Sequence, residues 1–174
     1  MPFPETINGP PETLLLVEGP DDVKITQSLL RIYGMDYKIR IQDGEGYQKL
    51  RKELPVIFED SRLRYLGIVA DTDTDINARW ASVRDRLREC GCKPPKNLAT
   101  DGAVFEGPNG IQAGVWLMPD NTMAGAMEAF LRLLVPESDL NWPYAEECVE
   151  NLPKKAKDSN TWRDKARLHT WLAW

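Results

Sequence analysis

The feature that most constrains the fold is a regular alternation of short apolar runs with stretches of helical period. The runs TLLLV, YKIRI and RYLGIVA are typical of strands, and a helical pattern follows each of them. The stretch AVFEGPNGIQAGVWLMP predicts two further short strands around a turn from Pro108 to Gly110. Strands that alternate with helices predict an α/β domain, with a mainly parallel sheet covered by helices on both faces.

The predicted helices have recognisable landmarks. The helix over residues 47–60 contains Pro55, which predicts a break or kink. The helix after PDNT is predicted to carry an apolar stripe that includes Met123 and Met127. The helix after the first strand is predicted to end near Gly34, and its apolar stripe is Ile25, Leu29, Ile32 and Tyr33.

The length of 174 residues suits one compact domain with a modest appendage. We expect an irregular lead-in over residues 1–12, an α/β domain over 13–135 and a helical C-terminal extension over 136–174. The N-terminus has neither the basic nor the apolar region of a secretory signal, and no apolar run is long enough to span a bilayer. Three cysteines without a disulfide-framework spacing agree with a reducing compartment, so we expect a cytoplasmic protein.

Acidic side chains gather where predicted strands end. Glu18, Asp21 and Asp22 follow the first strand, and Asp71 and Asp73 follow the strand RYLGIVA. A third polar group, PDN at 119–121, follows GVWLM. Ligands of parallel α/β sheets bind outside the carboxyl ends of the strands. We therefore expect three chain segments to bring carboxylates to one rim of the sheet.

Clustered carboxylates need a cation. Two of them about 5 Å apart repel by roughly 3 kcal/mol at an effective dielectric near 20. Oxygen ligands without histidine or cysteine suit Mg²⁺ or Mn²⁺ rather than zinc. Asp71 and Asp73 exceed what a turn requires, which favours a metal-binding role. Asp75, in contrast, is expected to cap the helix that starts near Ile76.

Two other acidic motifs are alternative explanations of DTDTDIN. An EF-hand loop requires glycine where Ile76 stands and glutamate where Ser82 stands, so it is excluded. A phosphotransferase of the haloacid-dehalogenase type also has D-x-D after a strand, with Asp71 as nucleophile. That family places the motif early in the chain, and here another acidic strand end precedes it, so this interpretation ranks lower.

The order LLVEGPDD followed by IVADTDTD resembles the TOPRIM domain of topoisomerases, primases, small nucleases and OLD-type nucleases. That family has E-G-x-x-D at the end of its first strand and D-x-D at the end of a later one. The matching positions are Glu18, Gly19, Asp22, Asp71 and Asp73, over residues 13 to about 135. The resemblance implies a TOPRIM-like (Rossmann-like) fold and metal binding by Glu18, Asp22, Asp71 and Asp73.

Later segments extend the resemblance. MPDNTMAGAMEAFL is similar to the stretch of OLD-type proteins in which a helix-borne glutamate joins a second metal site, which assigns that role to Glu128. The alternative for Glu128 is an exposed pair with Arg132. SNTWRDKARLHTWLAW resembles the C-terminal part of a little-characterised TOPRIM-like family in which DKA recurs. OLD-type nucleases carry a catalytic lysine late in the domain, so the resemblance assigns this role to Lys165, the alternative being a surface lysine. Separately, Gly44 and Gly46 lie between a strand and a helix, where their amides could bind a phosphate or simply form a turn.

The sequence also departs from the TOPRIM pattern. Topoisomerases and primases continue as D-x-D-x-x-G, and Asn77 occupies the position of that glycine, which disfavours both classes. The chain ends inside an apolar helical pattern, so we expect either a partner that covers Trp171 and Trp174 or a natural chain that continues. The net charge of −5 gives no evident DNA-binding surface.

The resemblance implies a Mg²⁺-dependent (or Mn²⁺-dependent) nuclease, a hydrolase of nucleic-acid phosphodiesters, with DNA favoured over RNA. Glu18, Asp71, Asp73 and Lys165 would be its catalytic residues. A partner, an ATPase as in OLD-type systems or a second copy of the chain, would supply the basic surface. Two alternatives stay open: a non-catalytic module that binds metal or nucleotide and regulates a partner, and a metal-dependent phosphatase or phosphotransferase.

Overall fold

The computed structural model describes residues 12–153 and 160–173. They form five strands and six α-helices in the following order: β1 Thr13–Val17, α1 Pro20–Ile32, β2 Arg40–Asp43, α2 Tyr47–Phe58, β3 Tyr65–Asp71, α3 Ile76–Glu89, β4 Ala103–Glu106, β5 Gln112–Met118, α4 Met127–Leu134, α5 Trp142–Glu150 and α6 Asn160–Leu172. A short 3₁₀ turn over Pro108–Gly110 joins β4 to β5, as the sequence predicts.

The five strands form one sheet in the order β2-β1-β3-β5-β4. All pairs are parallel except β4 with β5, which form an antiparallel hairpin at one edge. The prediction of an α/β chain with a mainly parallel sheet is therefore confirmed. Pairing of β3 with β5 continues to Asp71 opposite Met118, so the chain leaves both strands at the same rim of the sheet.

Helices cover both faces of the sheet because strand side chains alternate in direction. Leu14 and Leu16 of β1 belong to the larger core cluster, which includes residues of α2 and α3 such as Leu50 and Leu87. Val17 of β1 belongs to a second cluster with Val23 of α1. Central parallel strands buried on both sides read as continuous apolar runs, which accounts for TLLLV.

Three helix predictions were wrong in detail. α4 begins at Met127, and Met123 lies in the preceding loop. α2 runs to Phe58 through Pro55 without a break. α1 ends near Gly34 as expected, but its buried residues are Val23 and Gln27, whereas the predicted stripe is half-buried or exposed. The physical reason is that α1 lies between the sheet and a groove shared with α4 and α6, so two of its faces have neighbours.

The expected helical C-terminal segment is present as α5 and α6. Trp171 of α6 meets Trp142 of α5 edge to face, with ring centroids 6.1 Å apart, and donates a hydrogen bond to Asp139. Trp171 is thus partly covered by its own chain, while Trp174 and most of the lead-in lie outside the described residues. None of the described helices is long and apolar enough to cross a membrane.

Asp75 caps α3, as the sequence predicts. Its Oδ1 accepts hydrogen bonds from the amides of Asn77 and Ala78 at 2.9 and 3.0 Å. We expect Asp75→Ala to lower the free energy of unfolding by about 1 kcal/mol, because two amides lose their acceptor. Urea unfolding measures the loss, and Asp75→Asn, which keeps an acceptor oxygen, is the control. Equal stability of both variants and the wild type would contradict the capping role.

Candidate metal centre

The two acidic strand ends meet directly. β1 and β3 are neighbours, and Glu18 follows β1 while Asp71 is the last residue of β3. The Oε2 atom of Glu18 accepts a hydrogen bond of 3.1 Å from the Asp71 amide. The parallel pairing therefore brings together residues that lie 53 positions apart in the sequence.

Asp22 joins these residues from the first turn of α1. Its Oδ2 accepts a 2.8 Å hydrogen bond from the amide of Gly19, which is the N-cap of α1. A carboxylate in this position is also stabilised by the positive end of the helix. Asp22 thus has a capping role, and its charge faces Glu18 and Glu128 as well.

Glu128 arrives from the first turn of α4 and is largely covered, with a side chain 18% exposed. The expected alternative pair with Arg132 does not form, because the Arg132 guanidinium lies over the Trp142 ring. Instead, Lys165 Nζ on α6 lies 3.8 Å from Glu128 Oε1. α6 therefore brings Lys165, which is half-exposed, to the edge of the carboxylate group.

The charges of these carboxylates act on one another and, together with burial, raise the pKa of three of them. Burial, followed by the charges of Asp22, Glu18 and Glu128, raises the pKa of Asp71 to about 8. Burial is also the main cause that raises the pKa of Asp22 to about 6. The pKa of Glu18 is raised by burial as well, against the lowering effects of the Asp71 amide and of Arg79.

Asp73 is paired with a cation, although its charge still acts on Glu18 and Asp71. It has a positive φ of 52°, and its half-exposed carboxylate forms an ion pair with Arg79 of α3. Arg79 is only 11% exposed, and its guanidinium carbon lies 3.7 Å from the centre of the Tyr47 ring. The carboxylate of Asp73 is thus held by Arg79 on the side of the site nearest to α2 and α3.

The loop that carries Asp71 and Asp73 is fixed by Thr72 between them. Its buried hydroxyl donates to the Met118 carbonyl at 2.8 Å and accepts from the Gly125 amide at 2.7 Å. The amides of Thr72 and Asp73 donate to the Gly125 carbonyl at 2.9 and 3.0 Å. This loop and the loop before α4 therefore form one hydrogen-bonded unit.

Two sequence predictions are not supported by local geometry. The amides of Gly44 and Gly46 donate to the carbonyls of Val17 and Glu18, so the turn itself uses the donors that were assigned to a phosphate. Asp120 accepts hydrogen bonds from the Thr122 and Met123 amides of its own turn. The carboxylate that the region after β5 brings to the site is Glu128 rather than Asp120.

Asn121, next to Asp120, has a structural role. It is buried, its Oδ1 accepts from the Leu117 amide at 2.7 Å, and its Nδ2 donates to the Thr100 carbonyl at 3.2 Å. It also takes a positive φ of 63°. The PDN segment therefore closes the end of β5, and both of its polar side chains accept hydrogen bonds from nearby amides.

The donor set is chemically suited to a hard divalent cation. Glu18, Asp22, Asp71 and Glu128 offer only carboxylate oxygens, and three of them have raised pKa values. Within residues 12–153 and 160–173, however, no three Asp, Glu, His or Cys side chains converge into a ready metal cage. Loading a cation would therefore require these side chains to change rotamers.

Comparison with protein families identifies the chain. A family model described as a protein of unknown function, DUF3226, matches residues 12–174. The chain belongs to the DUF3226 family. No curated protein and no solved structure matches it. The DUF3226 match includes every strand and helix among the described residues, and it therefore covers the acidic strand ends together with Glu128 and Lys165.

Three residues of the site were missed by the sequence reasoning. Tyr47, Thr72 and Arg79 are ordinary residue types that match no motif. The signal for Thr72 was its position between two acidic residues at the end of a buried strand, where a hydroxyl can fix a loop. Arg79 follows the DTDTD loop within the first turn of α3, which places a cation next to it. Nothing in the sequence pairs Tyr47 with Arg79.

Proposed function

We propose that this DUF3226 protein is a Mg²⁺-dependent nuclease of the TOPRIM type, which hydrolyses nucleic-acid phosphodiesters. One observation carries the proposal. Four carboxylates from three segments of the chain lie together at the carboxyl ends of β1 and β3, in surroundings that raise the pKa of three of them. Such a group is costly to ionise without a cation, and its oxygens are those that Mg²⁺ prefers.

The topology supports the likeness to TOPRIM domains. Glu18 of the E-G-x-x-D motif and Asp71 of the D-x-D motif lie on adjacent parallel strands, which is the arrangement that a shared site requires. Glu128 and Lys165 lie beside them, as the similarity to OLD-type nucleases implies. Asp73 would have to leave Arg79 before it could bind the same cation.

Glu18, Asp22, Asp71 and Glu128 are the residues that would hold the metal. When bound, Mg²⁺ supplies polarisation of a phosphoryl oxygen and activation of a water molecule. The chain contributes the orientation of Glu18 through the Asp71 amide and that of Asp22 through the Gly19 amide. Lys165, half-exposed beside Glu128, is placed to approach a substrate phosphate.

The expected partnership follows from the charge balance. A net charge of −5 opposes binding to a polyanion, so a basic partner surface would be required for tight association with DNA. We propose an ATPase partner or a second copy of this chain for this role, and DNA rather than RNA as the substrate.

The nuclease proposal is tested by cleavage of supercoiled plasmid and single-stranded DNA with Mg²⁺ or Mn²⁺. We expect Glu18→Gln and Asp71→Asn each to lower the rate by at least about 100-fold, the effect of removing one group that stabilises transition-state charge. Glu106→Gln is the matched control, because Glu106 is exposed on β4 and pairs with Gln112 at the opposite end of β5. Cleavage that persists in both site variants, or a wild type that neither cleaves DNA nor binds Mn²⁺ through Glu18 and Asp71, would refute the proposal.

A regulatory module that binds metal or nucleotide is the second candidate, and the net charge of −5, which opposes binding to a polyanion, favours it. Binding of Mn²⁺ that requires Glu18 and Asp71, without cleavage of any polynucleotide, would support this candidate. The phosphotransferase alternative is weaker. The haloacid-dehalogenase type places its D-x-D motif early in the chain, whereas here the acidic strand end at Glu18 precedes Asp71.

A further inference from the structure

A polar cleft lies beside the carboxylates, between the first turns of α2 and α3. Its volume is about 540 Å³ and it opens widely to solvent, and its wall carries four carboxylates, those of Glu18, Glu45, Asp73 and Asp75, beside Arg79. This volume is in the range of sites for small ligands. The cleft is separate from the apolar groove between α1, α4 and α6, whose wall contains Asp22 and Glu128.

Arg79 is the one cation among the residues that line this cleft, all of which belong to the described part of the chain. Its side chain is held in place before any ligand binds. The Tyr47 ring covers one face of the guanidinium at 3.7 Å, and Tyr47 is itself fixed by a 2.7 Å hydrogen bond from its hydroxyl to Ser82 Oγ. An arginine that is already ordered loses little conformational entropy when it binds an anion.

The Arg79 guanidinium has N–H donors that the described residues leave unused. Its hydrogen bond to Asp73 uses only Nη2, and the described residues provide no hydrogen-bond acceptor for Nε or Nη1. The first amide of α2, that of Tyr47, already donates to the Glu18 carboxylate, so the free donors that face the cleft are those of Arg79. An anion with several oxygens therefore finds an ordered fork of donors beside the acidic site.

We propose that this cleft binds a backbone phosphate of the nucleic-acid substrate, with Arg79 as the contacting residue and Tyr47 as the residue that positions it. The inference rests on the proposed nuclease function, because it places the substrate strand next to Glu18 and Asp71. In the absence of substrate, Arg79 holds Asp73; when Asp73 serves as a metal ligand instead, Nη2 is also released to the phosphate.

The test is a binding experiment that needs no catalysis. Anisotropy of a short fluorescein-labelled single-stranded DNA is measured in EDTA over a range of salt concentrations. We expect Arg79→Gln to weaken binding about tenfold and to reduce the slope of log affinity against log salt by about 0.7, the value for one lost phosphate contact. Arg88→Gln makes the same charge change at an exposed position of α3 and should leave both quantities unaltered.

Two further variants distinguish the loss of the phosphate contact from the loss of positive charge, and a stability measurement checks that each variant folds. Arg79→Lys keeps the charge, so it should retain the salt slope while losing part of the affinity. Combining Arg79→Gln with Asp73→Asn restores the net charge of the wild type. If the phosphate contact matters, this double variant still binds weakly; affinity equal to that of the wild type would overturn the proposal. Thermal unfolding of each variant shows that the fold is kept.

The outcomes distinguish the two proposals. Metal-dependent cleavage by the wild type, with equal slopes for Arg79→Gln and Arg88→Gln, overturns the phosphate site and leaves the nuclease. Binding that Arg79→Gln weakens, without cleavage by any metal-loaded protein, supports the phosphate site and overturns the nuclease. If the wild type neither binds nor cleaves DNA, both proposals are overturned.

Discussion

Near pH 8 and without divalent cations, Asp71→Asn is expected to be more stable than the wild-type protein by on the order of 3 kcal/mol. Burial, together with the charges of Asp22, Glu18 and Glu128, raises the pKa of Asp71 from 3.8 to about 8. Ionising this side chain in the folded protein costs free energy, and a neutral amide avoids that cost. Urea unfolding in EDTA measures the difference.

The direction of the pKa shift determines how this stability difference changes with pH. Because the pKa of Asp71 is higher in the folded protein, its contribution to stability is fully present below about pH 4 and is lost as the pH rises through about 8. The advantage of Asp71→Asn should therefore disappear near pH 4. Adding Mg²⁺ near pH 8 should stabilise the wild type but not the variant. The exposed Asp101, changed to Asn, is the control; a gain for Asp71→Asn that does not vary with pH would contradict the electrostatic explanation.

Thr72→Val is expected to destabilise the protein by about 3 kcal/mol. Valine fills nearly the same volume, but it leaves the buried Met118 carbonyl and Gly125 amide without the hydroxyl that they share at 2.8 and 2.7 Å. Each buried polar group that loses its partner costs about 1–3 kcal/mol. Equilibrium unfolding in urea measures the change in free energy.

The controls for this variant isolate the hydroxyl group. Thr72→Ser keeps the hydroxyl and should recover most of the lost stability. Thr74→Val makes the same substitution at an exposed position two residues away and should change stability by less than about 0.5 kcal/mol. Equal losses for Thr72→Ser and Thr72→Val would show that the hydrogen bonds are not responsible.

The sequence predicted the sheet well because strand burial is a strong local signal. β1, β3 and the β4–β5 hairpin appear where apolar runs are bounded by turn residues, and the capping role of Asp75 follows from its place before α3. The errors have tertiary causes. The spacing of Met123 fits the apolar stripe of α4, yet Met123 lies in the loop before α4, where its carbonyl accepts a hydrogen bond from the Thr72 hydroxyl. The helix through Pro55 is held by packing of Leu50 and Leu54.

Some residues of the candidate site were also predictable from local sequence patterns, and others were not. Glu18 and Asp71 were predictable because residues at the carboxyl ends of parallel strands share a rim, and the structure joins them by a hydrogen bond. The same rule predicted that Asp120 would lie at this rim, but its carboxylate accepts a hydrogen bond within its own turn. The pair of Arg79 with Tyr47 depends on how α2 and α3 lie against each other, which no local pattern encodes. The metal-binding and catalytic roles stay predictions.

The hydrogen bonds between Thr72 and Gly125 have a consequence for motion. Asp71 and Asp73 lie on one side of this link, and the loop leading to Glu128 lies on the other. One loop can open alone only if the shared bonds break, so we expect the two loops to move together. We therefore expect the Asp71 and Glu128 backbone segments to keep their separation during local fluctuations, while their side chains adapt to a bound ion.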